Sequence, residues 1–99
     1  VIHTVGPVWR DGNHGEEELL TSCCRSCFAL VEQHGIKTVA FPSISTGAHG
    51  FPMERAARIA LCETKNFLER NRSVEKVILV CFGTKALEIH KKALRDIFK

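Results

Sequence analysis

No stretch of the sequence approaches the roughly 18 consecutive apolar residues that a membrane-spanning helix requires. Basic residues are scattered, with no run longer than Lys91–Lys92. The net charge of +3 is a slight bias toward anionic ligands, far short of a nucleic-acid-binding arm. The five cysteines do not form an even, spaced set: Cys23, Cys24 and Cys27 crowd together, while Cys62 and Cys81 fall within apolar runs. That excludes a disulfide framework and points to a reducing, intracellular compartment, cytoplasmic or nuclear. No secretory signal, internal repeat or low-complexity segment is visible. The glycine patterns of P-loops, dinucleotide-binding turns and nucleophile elbows are missing as well.

What is present suits one soluble domain. The chain has 99 residues, 44% apolar and 25% charged, an ordinary globular balance. A fold of this size buries roughly two-thirds of its unfolded surface, enough for one modest core. The chain opens on Val1, directly in what reads as a strand. That is the opening expected of a portion of a longer domain.

Along the chain, Val1–Val5 is a short strand candidate closed by Gly6–Pro7, and residues 6 to 15 have loop composition. Glu16, Glu17 and Glu18 place negative charge where a helix start favours it. Leu20, Cys23/Cys24, Cys27, Leu30/Val31 and His34 recur at helical spacing, and Gly35 is a natural stop. Ile36–Phe41 is a β-branched strand candidate. After the next loop, Pro52 suits a helix start. Ala56/Ala57, Ala60/Leu61, Thr64 and Phe67/Leu68 mark the buried stripe of that helix. Val74–Phe82 is the most apolar run and the candidate central strand. Thr84 is a plausible cap for a last helix carrying Leu87, His90, Leu94 and Ile97/Phe98. Alternating strands and helices predict an α/β sandwich with parallel strands, here about three strands and three helices.

The loop FPSISTGAHGFP, Phe41 to Pro52, is the chemically informative stretch. It leaves a strand and enters a helix, at the sheet edge where open α/β sheets bind ligands. Glycines let a ligand approach the backbone, and unpaired amides at a turn and a helix start attract phosphate. Ser43, Ser45 and Thr46 add hydroxyl donors. The pattern suits a phosphate or diphosphate. A tight turn with Gly47 and Gly50 at positive φ is the plainer reading of the same residues. Ser45 with His49 is a weak nucleophile–base pair, since nothing orients the imidazole.

The other candidates point toward packing. Cys23 and Cys27 lie one turn apart inside the apolar stripe, with no second ligand pair of the kind structural zinc uses. His3 reads as a satisfied interior histidine, and His14 and His90 have no evident partner. Trp9 suits either a cover over a ligand or a cap on the core. Phe82 ends the central strand candidate on the loop's edge of the sheet. It is either a base-stacking platform or a core residue.

Three segments, VIHTVGPVW, GIKTVAFPSISTGAHGFPMERAARIAL and VEKVILVCF, closely resemble the macrodomain family, and its MacroD-like branch in particular. The resemblance covers essentially the whole chain. It implies a three-layer α/β/α sandwich of which residues 1–99 are the C-terminal part. It also implies ADP-ribose, free or attached to protein, as the partner. Removal of ADP-ribose from modified proteins, or deacetylation of O-acetyl-ADP-ribose, is the activity it implies for a complete domain, with no cofactor or metal. By resemblance, Ser45, Thr46, Gly47, Ala48 and His49 wrap the diphosphate and distal ribose, and Phe82 lies beside adenine. His49 replaces the family's usual tyrosine or similar aromatic.

The family's Asn-Ala-Ala-Asn stretch and aspartate-bearing glycine loop precede VIHTV and have no counterpart here; Asp11 and Asp96 match neither. A family strand between Val1–Val5 and Ile36–Phe41 is likewise outside the sequence, so both strands are expected to lack a common neighbour. The chain alone is therefore expected to bind rather than turn over. The alternatives are a non-catalytic reader of ADP-ribose or poly-adenylate and a truncated product without function of its own.

Overall fold

The computed structural model describes residues 1–98. The elements run α1 (Glu16–Gln33), β1 (Thr38–Pro42), α2 (Met53–Arg70), β2 (Lys76–Val80) and α3 (Thr84–Ile97). The α/β class and the three helices are those expected. β1 and β2 pair in parallel, from Thr38 opposite Lys76 to Pro42 opposite Val80, so both strands leave the sheet at the same edge.

Alternation along the strands decides which face meets the helices. Val39, Phe41 and Val77 pack on Phe28 and Val31 of α1, Phe67 of α2 and Val74. Leu79 packs on Ala57 and Leu61 of α2 and Ala93 of α3. The Phe28 ring stacks on Phe67 at 4.5 Å and meets Phe41 edge-on at 5.9 Å. One sheet face thus carries all three helices. On the other face Ile78 and Val80 remain 41% and 44% exposed, so β2 is not buried on both sides as its apolar run predicts.

Helix ends follow the sequence punctuation. Gly35 turns left-handed at φ 62°, and Ile36 N–H bonds Val31 O at 3.0 Å, closing α1. Pro52 stands immediately before α2, and Ala56 N–H bonds its carbonyl at 3.0 Å. Gly83, at φ 87°, precedes α3, so Thr84 is the first helical residue and caps nothing.

Three further expectations are corrected. Val1–Val5 forms no ladder among the described residues. A cavity of about 930 Å³ lies between it and β1, lined by residues 1–6 on one side and Thr38–Pro42 on the other. Across that gap neither segment reaches the other's backbone groups. His3 consequently is exposed, not interior. In α3 the buried residues are Ala86, His90 and Ala93, while Leu87 and Leu94 stay 43% and 45% exposed. Small side chains let α3 approach α2 closely, which turns the leucine face outward. No helix among the described residues is long and apolar enough to cross a membrane.

Candidate functional site

The loop between β1 and α2 is held by a few internal bonds. Thr46 Oγ1 donates to Ser43 O at 3.0 Å, Gly50 N–H to Gly47 O at 3.0 Å, and Phe51 N–H to Ser45 O at 2.8 Å. Phe51 is buried beside Leu20 and Ala56, which pins the loop's far end to the core. None of the amides of Ser45, Thr46, Gly47, Ala48 and His49 donates to a protein acceptor among the described residues. Five consecutive donors are left for water or a ligand, the arrangement that attracts an anion.

Ser45 occupies the left-handed region at φ 68°, the one non-glycine residue to do so among those described. A serine there is strained, and such strain clusters at binding and catalytic sites. Its Oγ is buried without a hydrogen-bond partner, which is costly unless something else satisfies it. Gly50 takes positive φ at 72°, whereas Gly47 does not. Gly47 instead offers room: a β-carbon there would meet nothing within 4 Å. Gly47 and Ala48 are exposed.

The structure brings Ser43, Ile44, Ser45 and His49 together on the wall of the cavity beside β1. Thr46, Gly47 and Ala48 form the outer turn. Phe82 lies two residues beyond β2, on the sheet edge from which the loop emerges, and is 93% exposed. It is therefore not a core residue, and it does not line the cavity.

Two residues of this region carry roles that composition concealed. Trp9 caps the loop: its backbone N–H donates to His49 O at 2.8 Å. Its indole sits 4.9 Å from the Phe51 ring, with the Arg55 guanidinium 5.4 Å away over its face. Glu16, predicted only as helix-start charge, is buried. Its Oε2 accepts from the amides of Arg10, Asp11 and Gly12 at 3.0, 3.2 and 3.0 Å, and its Oε1 from His14 N–H at 2.7 Å. Burial alone would raise its pKa, but amide donors including Arg10, Gly12 and His14 outweigh that and hold it at about 2. An amide four residues from a buried acid is a weak sequence signal, since a glutamate in a first helical turn reads the same whether it faces solvent or a loop.

Asp11, His14 and Glu16 bring three potential metal-ligand atoms within 4.8 Å of one another. The Glu16 oxygens are already taken up by amides, and Asp11 Oδ1 meets His14 Nδ1 at 2.9 Å and accepts from Asn13 N–H at 2.8 Å. The cluster is a loop anchor. Cys24 is buried, which pushes its thiol up to about 12, and burial also raises Cys27. Neither is an activated nucleophile. His90 is buried, with Nδ1 at 2.8 Å from Ala86 O.

Residues 1–60 match the Macro domain family. O-acetyl-ADP-ribose deacetylase 1 of Pantoea vagans is 55% identical over 94 residues, covering 95% of this chain and 55% of that protein. The Oceanobacillus iheyensis macrodomain solved with ADP superposes with a TM-score of 0.90 at 38% identity, over 97% of this chain and 50% of that one. The Trypanosoma brucei macrodomain in complex with ADP-ribose gives 0.83 at 34% identity, over 93% and 38%. The chain thus spans about half the length of the curated relatives it matches. With residues 1–60 matched and β1, its loop and α2 superposing on solved relatives, the chain belongs to the macrodomain family.

Proposed function

We propose that this chain carries the diphosphate-binding loop and part of the adenine site of an ADP-ribose-binding domain. The observation that carries the proposal is the row of unpartnered amides from Ser45 to His49, joined by the buried, unpartnered Ser45 hydroxyl. The diphosphate lies against Thr46, Gly47 and Ala48, His49 covers the distal ribose, and Phe82 stacks on adenine. Solved relatives hold ADP or ADP-ribose, which supports this choice among diphosphates. The five free thiols fit an intracellular site of action.

Turnover is a separate question. In the complete domain the proposed reaction is removal of ADP-ribose from protein or deacetylation of O-acetyl-ADP-ribose, as in the Pantoea vagans relative's name. Water activation at such a site needs a general base or an equivalent positioning group. Asp11 is engaged by His14 and Asn13, Asp96 lies 3.2 Å from Arg58, and neither lines the cavity beside the loop. This favours the second reading, a binding module, for the chain by itself.

Calorimetric titration of the folded chain with ADP-ribose tests the proposal. Saturable heat with ADP-ribose and ADP, weaker with ribose 5-phosphate, is expected. Absence of heat at millimolar ADP-ribose from a sample with intact helical dichroism would remove it.

A further inference from the structure

The segment from Trp9 to Glu16 packs against the ligand loop, and its internal bonds have a direction. Four amides converge on one buried carboxylate, so the path of Arg10 to His14 is dictated by the position of Glu16. Gly12 sits in that path at φ 86°, and a β-carbon on it would stand 2.9 Å from Trp9 Cη2 and 3.2 Å from Cζ2. The turn thereby runs close along one edge of the indole, in space only glycine leaves free. Phe51 and Arg55 hold the indole from α2 and its approach. Fixed in this way, Trp9 donates its backbone N–H to His49 O.

The ligand loop needs such a clamp. Its five free amides make no internal bonds, and Ser45 is strained. A loop of this kind left to itself turns its donors toward water in many orientations. Aligning them before ligand arrives removes an entropic cost from binding. Among the described residues, the other bonds on this stretch are the Gly50-to-Gly47 turn, the Phe51-to-Ser45 closure and the Thr46 side chain, and of these only the Trp9 bond comes from outside the loop and its helix.

We propose that Glu16 is a positioning residue for the Ser45–His49 loop, acting through Gly12 and Trp9 on the His49 peptide. This rests on the reading of the loop as the diphosphate site. Glu16 touches no ligand atom in this scheme. It sets the fraction of molecules whose loop is ready to bind, and apparent affinity falls in proportion to that fraction.

Trp9 is the single tryptophan of the chain, so its emission reports on the clamp alone. The experiment compares the chain with Glu16→Gln, which keeps the shape but replaces one acceptor with a donor. A second variant, Gly12→Ala, crowds the indole and strains the turn while keeping the Glu16 carboxylate. Glu18→Gln, exposed in the same helical turn, is the control. Both test variants are expected to shift Trp9 emission to longer wavelength and increase its quenching by acrylamide, with helical dichroism retained. Both are expected to weaken ADP-ribose about tenfold, the change for a loop competent one-tenth of the time. Amide exchange read by NMR gives a ligand-independent measure: Trp9 and Phe51 amides exchange faster in both variants, while Leu61 in α2 does not change. If wild type binds no ADP-ribose yet these amides loosen, the functional reading falls and the clamp stands. If the amides stay protected, or the clamp loosens with affinity unchanged, the positioning role is overturned.

Discussion

The backbone of Gly6 lies directly against the side chain of Ser45. A β-carbon on Gly6 would collide with Ser45 Oγ and stand 2.6 Å from Ile44 Cγ2. The end of the first segment therefore forms one wall around the strained serine whose hydroxyl has no partner. Gly6→Ala must push Ser45 and Ile44 aside, an overpacking that costs ~1–3 kcal/mol. Urea unfolding should show that loss, and calorimetry should show weakened ADP-ribose binding. Full affinity in a destabilised Gly6→Ala would mean that Ser45 can move freely without disturbing the ligand.

Gly47 tests the ligand loop from its open side. No neighbour lies within 4 Å of a β-carbon there, and φ is not positive, so a side chain is accommodated. Gly47→Glu should change stability by no more than about 0.5 kcal/mol, as for an ordinary surface site. It places a carboxylate among the free amides, where it competes with and repels a diphosphate. Loss of ADP-ribose heat with an unshifted thermal midpoint is the expected pair of results. Undiminished affinity would place the ligand elsewhere.

The parts of this arrangement that were legible in the sequence are those set by local chemistry. Gly35 and Pro52 punctuate helices because their backbone constraints act on single residues. The β-branched runs around Val39 and Val77 became strands, and their alternation chose the buried face. The loop could be placed at the sheet edge for the same reason. Packing was not legible in this way, and the missing partner of Val1–Val5 was legible only through the family resemblance. Val1–Val5 has strand composition but no ladder, because a strand requires a neighbour within hydrogen-bond reach and a cavity separates it from β1. Ala86 and Ala93 displaced the leucines of α3 from the core because close helix approach rewards small residues. Positive φ fell on Ser45 rather than Gly47, a choice made by the loop's closure through Phe51 and not by residue preference.

Phe82 is 93% exposed, so its ring contributes little to stability. Phe82→Ala should leave the thermal midpoint close to wild type, within the ~0.5 kcal/mol typical of surface changes. A base stacked on an aromatic ring gains about 1–3 kcal/mol. ADP-ribose and ADP should therefore weaken by roughly that amount, while ribose 5-phosphate, which has no base, should be unaffected. Equal losses for both ligand types would remove Phe82 from the adenine site.

Acid should release the Glu16 clamp in a defined window. The folded carboxylate is held at about 2 against an ordinary value of 4.5. A lowered folded pKa means that the unfolded state takes up the proton first, so stability from this group is complete above pH 4.5 and falls as pH drops toward 2. Asp11, lowered by Asn13 N–H and then by His14, titrates in the same direction beside it, and Arg55 is the cation facing the turn from α2. The contribution of Glu16 is isolated by difference. Wild type should lose stability over this window, with Trp9 emission moving to longer wavelength. Glu16→Gln, which cannot ionise, should show a shallower loss from a lower starting stability, leaving the part due to Asp11 and other carboxylates. Parallel acid profiles for the two proteins would show that the carboxylate charge does not hold the turn.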